Sequence, residues 1–223
     1  MRPDKIAEIL FYIVIGICIL SVGKEIYRRA MAIGEYDRLG ELIERDDHDI
    51  TEDSGEEEIQ ADRDLPDKGD IYVTLGRINP EFVGILSIPE LDLRYPVVQG
   101  TDNEKYLSTT FEGKENPAGC IFIDCENSRD LSDNVTFIYG HNMKDGTMFG
   151  SLKKLLKTDT GKNEIRAYIH TGDKEYEYSL TDVKVVDVDS IKNIRSKQRE
   201  IILYTCWSNE HDKRLLTTFR SCL

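Results

Sequence analysis

Eight short segments rich in β-branched and aromatic residues recur between turn residues along the second part of the chain. From residue 82 onward, these segments are FVGILSI, YPVVQG, GCIFID, NVTFIYG, EIRAYIH, EYEYSLTDVKVVDV, EIILYTC and RLLTTFRSCL. A sheet of eight strands must protect its two edges, and closing the sheet into a barrel removes them. The pattern therefore predicts a mainly β domain, an eight-stranded β-barrel with short helices.

Two connections between these segments have helical spacing. The first is TDNEKYLSTTF, residues 101–111, and the second is GTMFGSLKKLL, residues 146–156. In the second, Met148, Phe149 and Leu152 recur at intervals of three to four residues, as on one face of a helix. We expect a short helix in each connection.

The N-terminal part of the chain contains a long apolar run. Residues 6–23 are apolar except for Glu8. Eighteen helical residues span about 27 Å, close to a hydrocarbon core of about 30 Å. The run predicts an N-terminal transmembrane helix that crosses the membrane once. A cleaved signal peptide, with Ser21 and Gly23 as the small residues before the cut, and a buried core helix are the alternatives.

The distribution of charge divides the rest of the chain. The formal net charge is −13, from 29 Lys and Arg against 42 Asp and Glu, which disfavours nucleic acid as a partner. Fourteen of the acidic residues lie within residues 41–70, so we predict an extended linker over about 45–70. A cation-binding patch is the alternative, but the spacing does not fit a calcium loop.

A broken helical stripe lies between the apolar run and the acidic segment. Its members are Ile26, Ala30, Ile33, Leu39, Leu42 and Ile43. The stripe predicts a juxtamembrane helix that packs on the later domain. We therefore divide the chain into an N-terminal tip and membrane anchor at 1–30, a juxtamembrane helix and acidic linker at 31–75, and a β domain at 76–223.

Few residues can carry chemistry. The chain has four histidines, at positions 48, 141, 170 and 211, and five cysteines, at positions 18, 120, 125, 206 and 222. No CxxC pair or HExxH motif occurs, so we expect no metal site. No glycine-rich phosphate loop occurs either, and we expect no cofactor. Cys120 and Cys125 fit core thiols better than a disulfide because they belong to one strand-like run.

Cys206 differs from the other cysteines in its setting. It ends the apolar segment IILYTC, and a polar turn leads to a returning strand that begins with Arg214. A hairpin would bring the two residues together. His141 follows the segment NVTFIY directly and precedes a turn. All three therefore lie at strand ends, where a rigid scaffold commonly holds catalytic groups.

The combination of these segments resembles the sortases, and class B sortases in particular. The resemblance rests on NPEFVGILSIPELDLRYPVVQGTDNEKYL, GCIFIDCEN, TFIYGHNMKDGTMFGSL, and YTC with Arg214, in the order of the family. It implies the sortase eight-stranded barrel over residues 76–223, behind a membrane anchor in a Gram-positive bacterium, with the catalytic domain extracellular. By this resemblance Cys206 is the nucleophile, His141 the proton donor and acceptor, Arg214 the oxyanion or substrate stabiliser, and Thr205 a substrate-binding residue.

The resemblance also implies an activity. A sortase cleaves an LPxTG-like or NPxTx-like C-terminal sorting signal of a surface protein, forms a thioacyl enzyme, and transfers the acyl group to an amine of peptidoglycan or of a pilin. A cysteine peptidase that hydrolyses the same signal and a catalytically silent cell-surface binding module are the alternatives. One feature departs from class B: only SIKNIRSKQRE, residues 190–200, separates the last two segments before Cys206, where class B sortases carry a long helix.

Overall fold

The computed structural model describes residues 3–51, 71–158, 164–207 and 210–222. Helix α1, Pro3–Thr51, and helix α2, Ile71–Ile78, precede the strands. The strands are β1 (Phe82–Ile88), β2 (Leu93–Val98), β3 (Ile121–Ile123), β4 (Val135–Tyr139), β5 (Arg166–Thr171), β6 (Lys174–Asp187), β7 (Glu200–Trp207) and β8 (Glu210–Ser221). Short 3₁₀ segments cover Pro89–Leu91, Lys105–Leu107, Phe149–Lys157 and Val188–Asn193.

The eight strands close into a barrel in the order β1-β2-β3-β4-β7-β8-β6-β5. The β2–β3 and β4–β7 pairs are parallel, and the other pairs are antiparallel. Each of the eight segments that the sequence predicts as a strand overlaps one observed strand. The predicted eight-stranded barrel is therefore confirmed.

Each of the two connections predicted to be helical contains a short helix, in both cases of the 3₁₀ type. In the first connection only Lys105–Leu107 is helical, as a single 3₁₀ turn. The Asp102 carboxylate accepts the backbone N–H groups of Glu104 and Lys105, each at 2.8 Å, and so holds a tight turn. The second connection forms the 3₁₀ segment Phe149–Lys157 instead of an α-helix.

Two apolar clusters stabilise the fold. The first fills the barrel and includes Leu203 of β7 and Leu215 of β8. The second joins helices α1 and α2 to the barrel wall, through residues that include Leu39, Leu75 and Phe122. Helix α1 is thus attached to the outside of the barrel, as the predicted juxtamembrane helix would be.

The face by which α1 packs differs from the predicted stripe. Leu39 and Ile43 are buried as expected, but Ile26 and Ile33 are exposed. The contact face instead includes Glu35, which is 3% exposed. The prediction failed because it counted only apolar side chains, whereas the barrel supplies hydrogen-bond partners for a buried carboxylate.

The predicted linker begins too early in the sequence. Helix α1 continues through Thr51, and residues 52–70 lie outside the described residues. Helix α2 then occupies Ile71–Ile78, with Ile71 and Leu75 buried, where the sequence predicted the end of the linker. The folded unit therefore includes residues upstream of position 76.

The predicted transmembrane segment is not supported by the described helices. Among the residues that the structure describes, no helix combines the length and the apolar character needed to cross a membrane. Residues 6–10, the first part of the predicted span, lie outside the described side chains. Within residues 11–22, the large apolar side chains are at least 38% exposed.

Candidate active site

His141 and Cys206 reach the same end of the barrel because the parallel strands β4 and β7 run in register. Tyr139 of β4 pairs with Tyr204 of β7, so the residues two positions further along each chain lie at the same level. A 2.9 Å hydrogen bond from the Asn142 side-chain amide to the Cys206 carbonyl joins the two strand ends. We call this end of the barrel the rim.

Arg214 reaches the rim from the neighbouring strand β8. It is the antiparallel partner of Cys206 in the β7–β8 ladder. The predicted hairpin is therefore confirmed, although β8 begins at Glu210 and not at Arg214. The Arg214 guanidinium carbon lies 5.8 Å from the centre of the Tyr204 ring, and Nη1 donates a 2.9 Å hydrogen bond to the Lys213 carbonyl. Cys206 and Arg214 thus lie on paired strands, and His141 follows the end of the adjacent strand β4.

Cys206 and Cys120 show how differently the chain places its thiols. All five cysteines are free, and Cys206 is exposed whereas Cys120 is 1% exposed. Burial raises the pKa of Cys120 to about 12, so that thiol stays protonated and unreactive. Cys206, by contrast, has Arg214 opposite it on β8 and His141 just past the end of β4, the strand on its other side.

Thr205 lies on the opposite face of β7 from Cys206. Its side chain is 2% exposed and points the same way as Leu203, which belongs to the cluster inside the barrel. Its hydroxyl oxygen has no hydrogen-bond partner within the described part of the chain. The structure therefore does not bring Thr205 onto the exposed face with the nucleophile, and its predicted contact with substrate stays a prediction.

The orientation of the His141 ring follows from a main-chain contact. Its Nε2 atom lies 2.7 Å from the carbonyl oxygen of Leu107. A carbonyl oxygen only accepts, so Nε2 carries the hydrogen and donates it. This leaves Nδ1 as the ring nitrogen that can exchange a proton with a reacting group.

Sequence reasoning missed three residues that support the site. Leu107 contributes only its main-chain carbonyl, which any residue type could supply, so no sequence signal marks it. Gly119 has a φ of +59°, and a Cβ atom there would meet Cδ2 of His141 at 3.2 Å. Asn142 does carry a signal, because it follows His141 directly within the YGHNM segment, although no role was assigned to it.

An aromatic pair lies next to the nucleophile. The rings of Tyr139 and Tyr204 meet edge to face with their centres 4.9 Å apart. The Tyr139 hydroxyl donates a 2.5 Å hydrogen bond to the Asp124 carboxylate. Burial, and then that hydrogen bond, raises the pKa of Tyr139, which keeps it protonated. Tyr204, supported by Tyr139, thus gives Arg214 an aromatic surface on the strand that carries Cys206.

The short connection before β7 is confirmed. Between the end of β6 and the start of β7 the structure has the 3₁₀ segment Val188–Asn193 and irregular chain.

Of the other histidines, His170 pairs with Glu175 on β6, with its Nδ1 3.2 Å from the carboxylate. The side chains of His48 and His211 lie outside those that the structure describes.

The fold and the rim define the class of this protein, a closed β-barrel with an exposed cysteine near the end of one strand, an arginine on the next strand, and a histidine just after the strand on the other side. The model of the Sortase domain family matches residues 86–220. The chain belongs to the sortase family.

Individual relatives agree with this family. The chain is 42% identical over 85 residues to Sortase B of Listeria monocytogenes, an alignment that covers 38% of this chain and only 35% of that protein. It is 30% identical over 163 residues to Sortase B of Staphylococcus aureus, covering 60% of this chain and 67% of that one. The solved Staphylococcus aureus sortase B–substrate complex superimposes with a TM-score of 0.66 at 22% identity, over 84% of this chain and 94% of that chain, which shows the shared fold.

Proposed function

We propose that this chain is a cysteine transpeptidase that cleaves a C-terminal sorting signal and transfers the new acyl group to an amine. The observation that carries the proposal is the placement of Cys206 and Arg214 on the paired strands β7 and β8, with His141 directly after the adjacent strand β4, at the rim of a sortase-family barrel. The proposed substrates are surface proteins with an LPxTG-like or NPxTx-like signal. The proposed acceptor is an amine of peptidoglycan or of a pilin.

The first half-reaction would use Cys206 as nucleophile and His141 as acid. The Cys206 thiolate attacks the carbonyl carbon of the Thr residue in the signal, and the carbonyl electrons move to the oxygen. When the oxyanion collapses, the C–N bond breaks, and His141 gives its proton to the departing amine. The product is a thioester between Cys206 and the surface protein, with the short C-terminal remainder released.

The second half-reaction would run the same roles in reverse. An acceptor amine enters beside the thioester and loses a proton to His141 as it attacks the carbonyl carbon. The C–S bond breaks, and the Cys206 thiolate is restored. In both halves Arg214 would donate hydrogen bonds to the oxyanion, an interaction that removal of one donor weakens by about 3 kcal/mol.

The N-terminal apolar run supports a proposal about location. We place the chain in the cell membrane with a single span over residues 6–23 and the barrel outside the cell. The run is apolar apart from Glu8, and the apolar side chains of residues 11–22 have no barrel contact that buries them. Retention of the full chain in the membrane pellet after alkaline carbonate washing, with the barrel digestible by external protease, is the expected result.

One assay tests the activity and its alternatives together. The full chain in detergent micelles is incubated with a panel of LPxTG-like and NPxTx-like peptides plus triglycine, and products are identified by mass spectrometry. A product in which the Thr is joined to triglycine is expected from one motif, and the Cys206→Ala chain should form none. Cleavage without ligation would indicate a peptidase, and no reaction with any peptide would favour a binding module.

The β6–β7 connection bears on the motif. In this chain it has only the 3₁₀ segment Val188–Asn193, where class B sortases carry a long helix. That connection forms one wall of the peptide groove in the family. The panel therefore contains both motif types, and the preferred motif is read from the ligated product.

A further inference from the structure

Two consecutive polar residues of helix α1, Glu35 and Tyr36, form hydrogen bonds with the segment that leads into β3, residues 110–119. The Glu35 carboxylate, buried at 3% exposure, accepts the backbone N–H of Glu112 at 2.9 Å and the Thr110 hydroxyl at 3.1 Å. The Tyr36 hydroxyl donates a 2.6 Å hydrogen bond to the carbonyl of Gly119. Residues 110–119 are therefore fixed to α1 at both ends.

The same segment forms one side of the His141 ring environment. Gly119 lies against the ring, since a Cβ atom there would meet Cδ2 of His141 at 3.2 Å. That atom would also meet the carbonyl oxygen of Leu107 at 3.1 Å, and this oxygen is the acceptor for His141 Nε2. The next residue, Cys120, donates its N–H to the Tyr106 carbonyl at 2.9 Å. Gly119 and the Leu107 carbonyl thus lie together at the edge of the imidazole that carries Cδ2 and Nε2.

We propose that Tyr36 is a positioning residue for His141, acting through Gly119. This inference rests on the proposed function, in which His141 transfers the protons. Helix α1 then contributes to catalysis indirectly, because Tyr36 positions Gly119, which lies beside the His141 ring and the Leu107 carbonyl. That carbonyl fixes the orientation and the tautomer of the ring.

Two properties of Tyr36 suit this role. Burial raises its pKa well above the usual value, so the hydroxyl remains a hydrogen-bond donor at any pH at which the enzyme would work. Its ring packs edge to face on Tyr95 of β2, with the centres 5.5 Å apart. Tyr36→Phe keeps this packing and removes only the hydroxyl, which leaves the Gly119 carbonyl without its side-chain donor and the Phe111 N–H, now 3.3 Å from that hydroxyl, without its acceptor.

The test uses the full chain in detergent micelles, with Tyr36→Phe as the variant and Tyr176→Phe as the matched control. Tyr176 of β6 also donates to a main-chain carbonyl, that of Asp130 at 3.3 Å. We expect kcat for peptide ligation to fall about tenfold in Tyr36→Phe with KM within twofold, because a small misplacement of an acid–base group slows the chemical step. The control should keep both constants.

A second readout does not depend on turnover. With ¹⁵N-labelled histidine, the wild-type chain should show His141 as the Nε2–H tautomer with a slowly exchanging proton. Tyr36→Phe should give mixed tautomers or a fast-exchanging Nε2–H. A variant with wild-type kcat and a wild-type His141 spectrum would overturn the proposal.

A destabilised comparison variant distinguishes a positioning role of Tyr36 from a general effect on stability. Leu180→Ala opens a cavity on β6 and should lower the unfolding temperature. If it lowers kcat as much as Tyr36→Phe at an equal loss of unfolding temperature, the positioning role is wrong. If the wild-type chain ligates no peptide, the proposed function fails, and the histidine spectrum alone then decides the role of Tyr36.

Discussion

The rim of the barrel and helix α1 contribute to the site in opposite ways. At the rim, Cys206 is exposed and is held by the pairing of strands beneath it, so its side chain is available for chemistry. On α1, Glu35 and Leu39 are buried and serve only as contacts with the barrel. The residues that would react with substrate therefore lie at the rim, and the residues that stabilise the barrel lie in a different region, on α1. Substitutions at the rim should therefore cost activity, and substitutions on α1, apart from the positioning residue Tyr36, should mainly cost stability.

The largest effect should come from the nucleophile. Cys206→Ala should lower ligation by at least about 10⁴-fold, because neither half-reaction proceeds without the thiolate. The unfolding temperature should stay near the wild-type value, since an exposed side chain buries little surface. Mass spectrometry of ligated peptide and calorimetry measure the two quantities. Cys222→Ala, at another exposed thiol, is the control and should keep full activity. Residual thioester formation in Cys206→Ala would remove the distinction between the two regions.

Arg214→Lys should give the next largest loss. Lysine keeps the positive charge but lacks the planar, forked donors of the guanidinium and its stacking on Tyr204. We expect kcat/KM to fall by about 10²- to 10³-fold, mainly in kcat, with little change in stability. Steady-state kinetics with the preferred peptide measures this. Arg166→Lys, at a β5 residue paired with Glu177 and Glu164, is the control. Equal losses in both variants would show a general charge effect.

Leu39→Ala tests whether helix α1 stabilises the fold. Leu39 is 1% exposed in the cluster that joins α1 and α2 to the barrel. Its truncation leaves a cavity and should lower the free energy of unfolding by about 3 kcal/mol. Chemical denaturation measures the loss. Ile33→Ala, at an exposed position on the same helix, should change stability by less than about 0.5 kcal/mol. If Leu39→Ala left stability unchanged, α1 would not be attached to the barrel as the structure shows.

The strands could be predicted from the sequence because their signal is local. In β4, buried and partly exposed positions alternate along VTFIY, and β7 is a continuous apolar run before Thr205. Both patterns can be read from the residues of the strand itself, without knowledge of its partners. The same locality marked Cys206, His141 and Arg214, since strand ends next to polar turns can be recognised from neighbouring residues alone.

The contacts of α1 could not be predicted because their partners are distant in sequence. Glu35 reads as a solvent-exposed residue until Glu112 and Thr110 are seen to donate to it. Helix α2 was missed because IYVTLGRI is rich in β-branched residues, which favour strands when no packing partner is known. The Leu107 carbonyl belongs to the main chain and has no sequence signature.

The smallest expected effect lies in a third region, the loop before β4, and it sets a baseline for both others. The Ser128 backbone N–H donates to the Asp133 carboxylate at 2.6 Å, and this bond, with Asn127 as a further donor, lowers the pKa of Asp133. A carboxyl whose folded pKa is lowered stabilises the fold fully above its unfolded pKa of about 3.9 and loses that contribution as pH falls through the folded value. Asp133→Asn should therefore flatten the decline in unfolding temperature below about pH 4, with ligation near neutral pH unchanged. Asp173→Asn, in the exposed β5–β6 turn, is the control and should keep the wild-type decline. This loop lies at the start of β4, whereas the rim lies at its end. A loss of ligation in Asp133→Asn would therefore mean that the catalytic residues at the rim depend on distant loops as well as on α1.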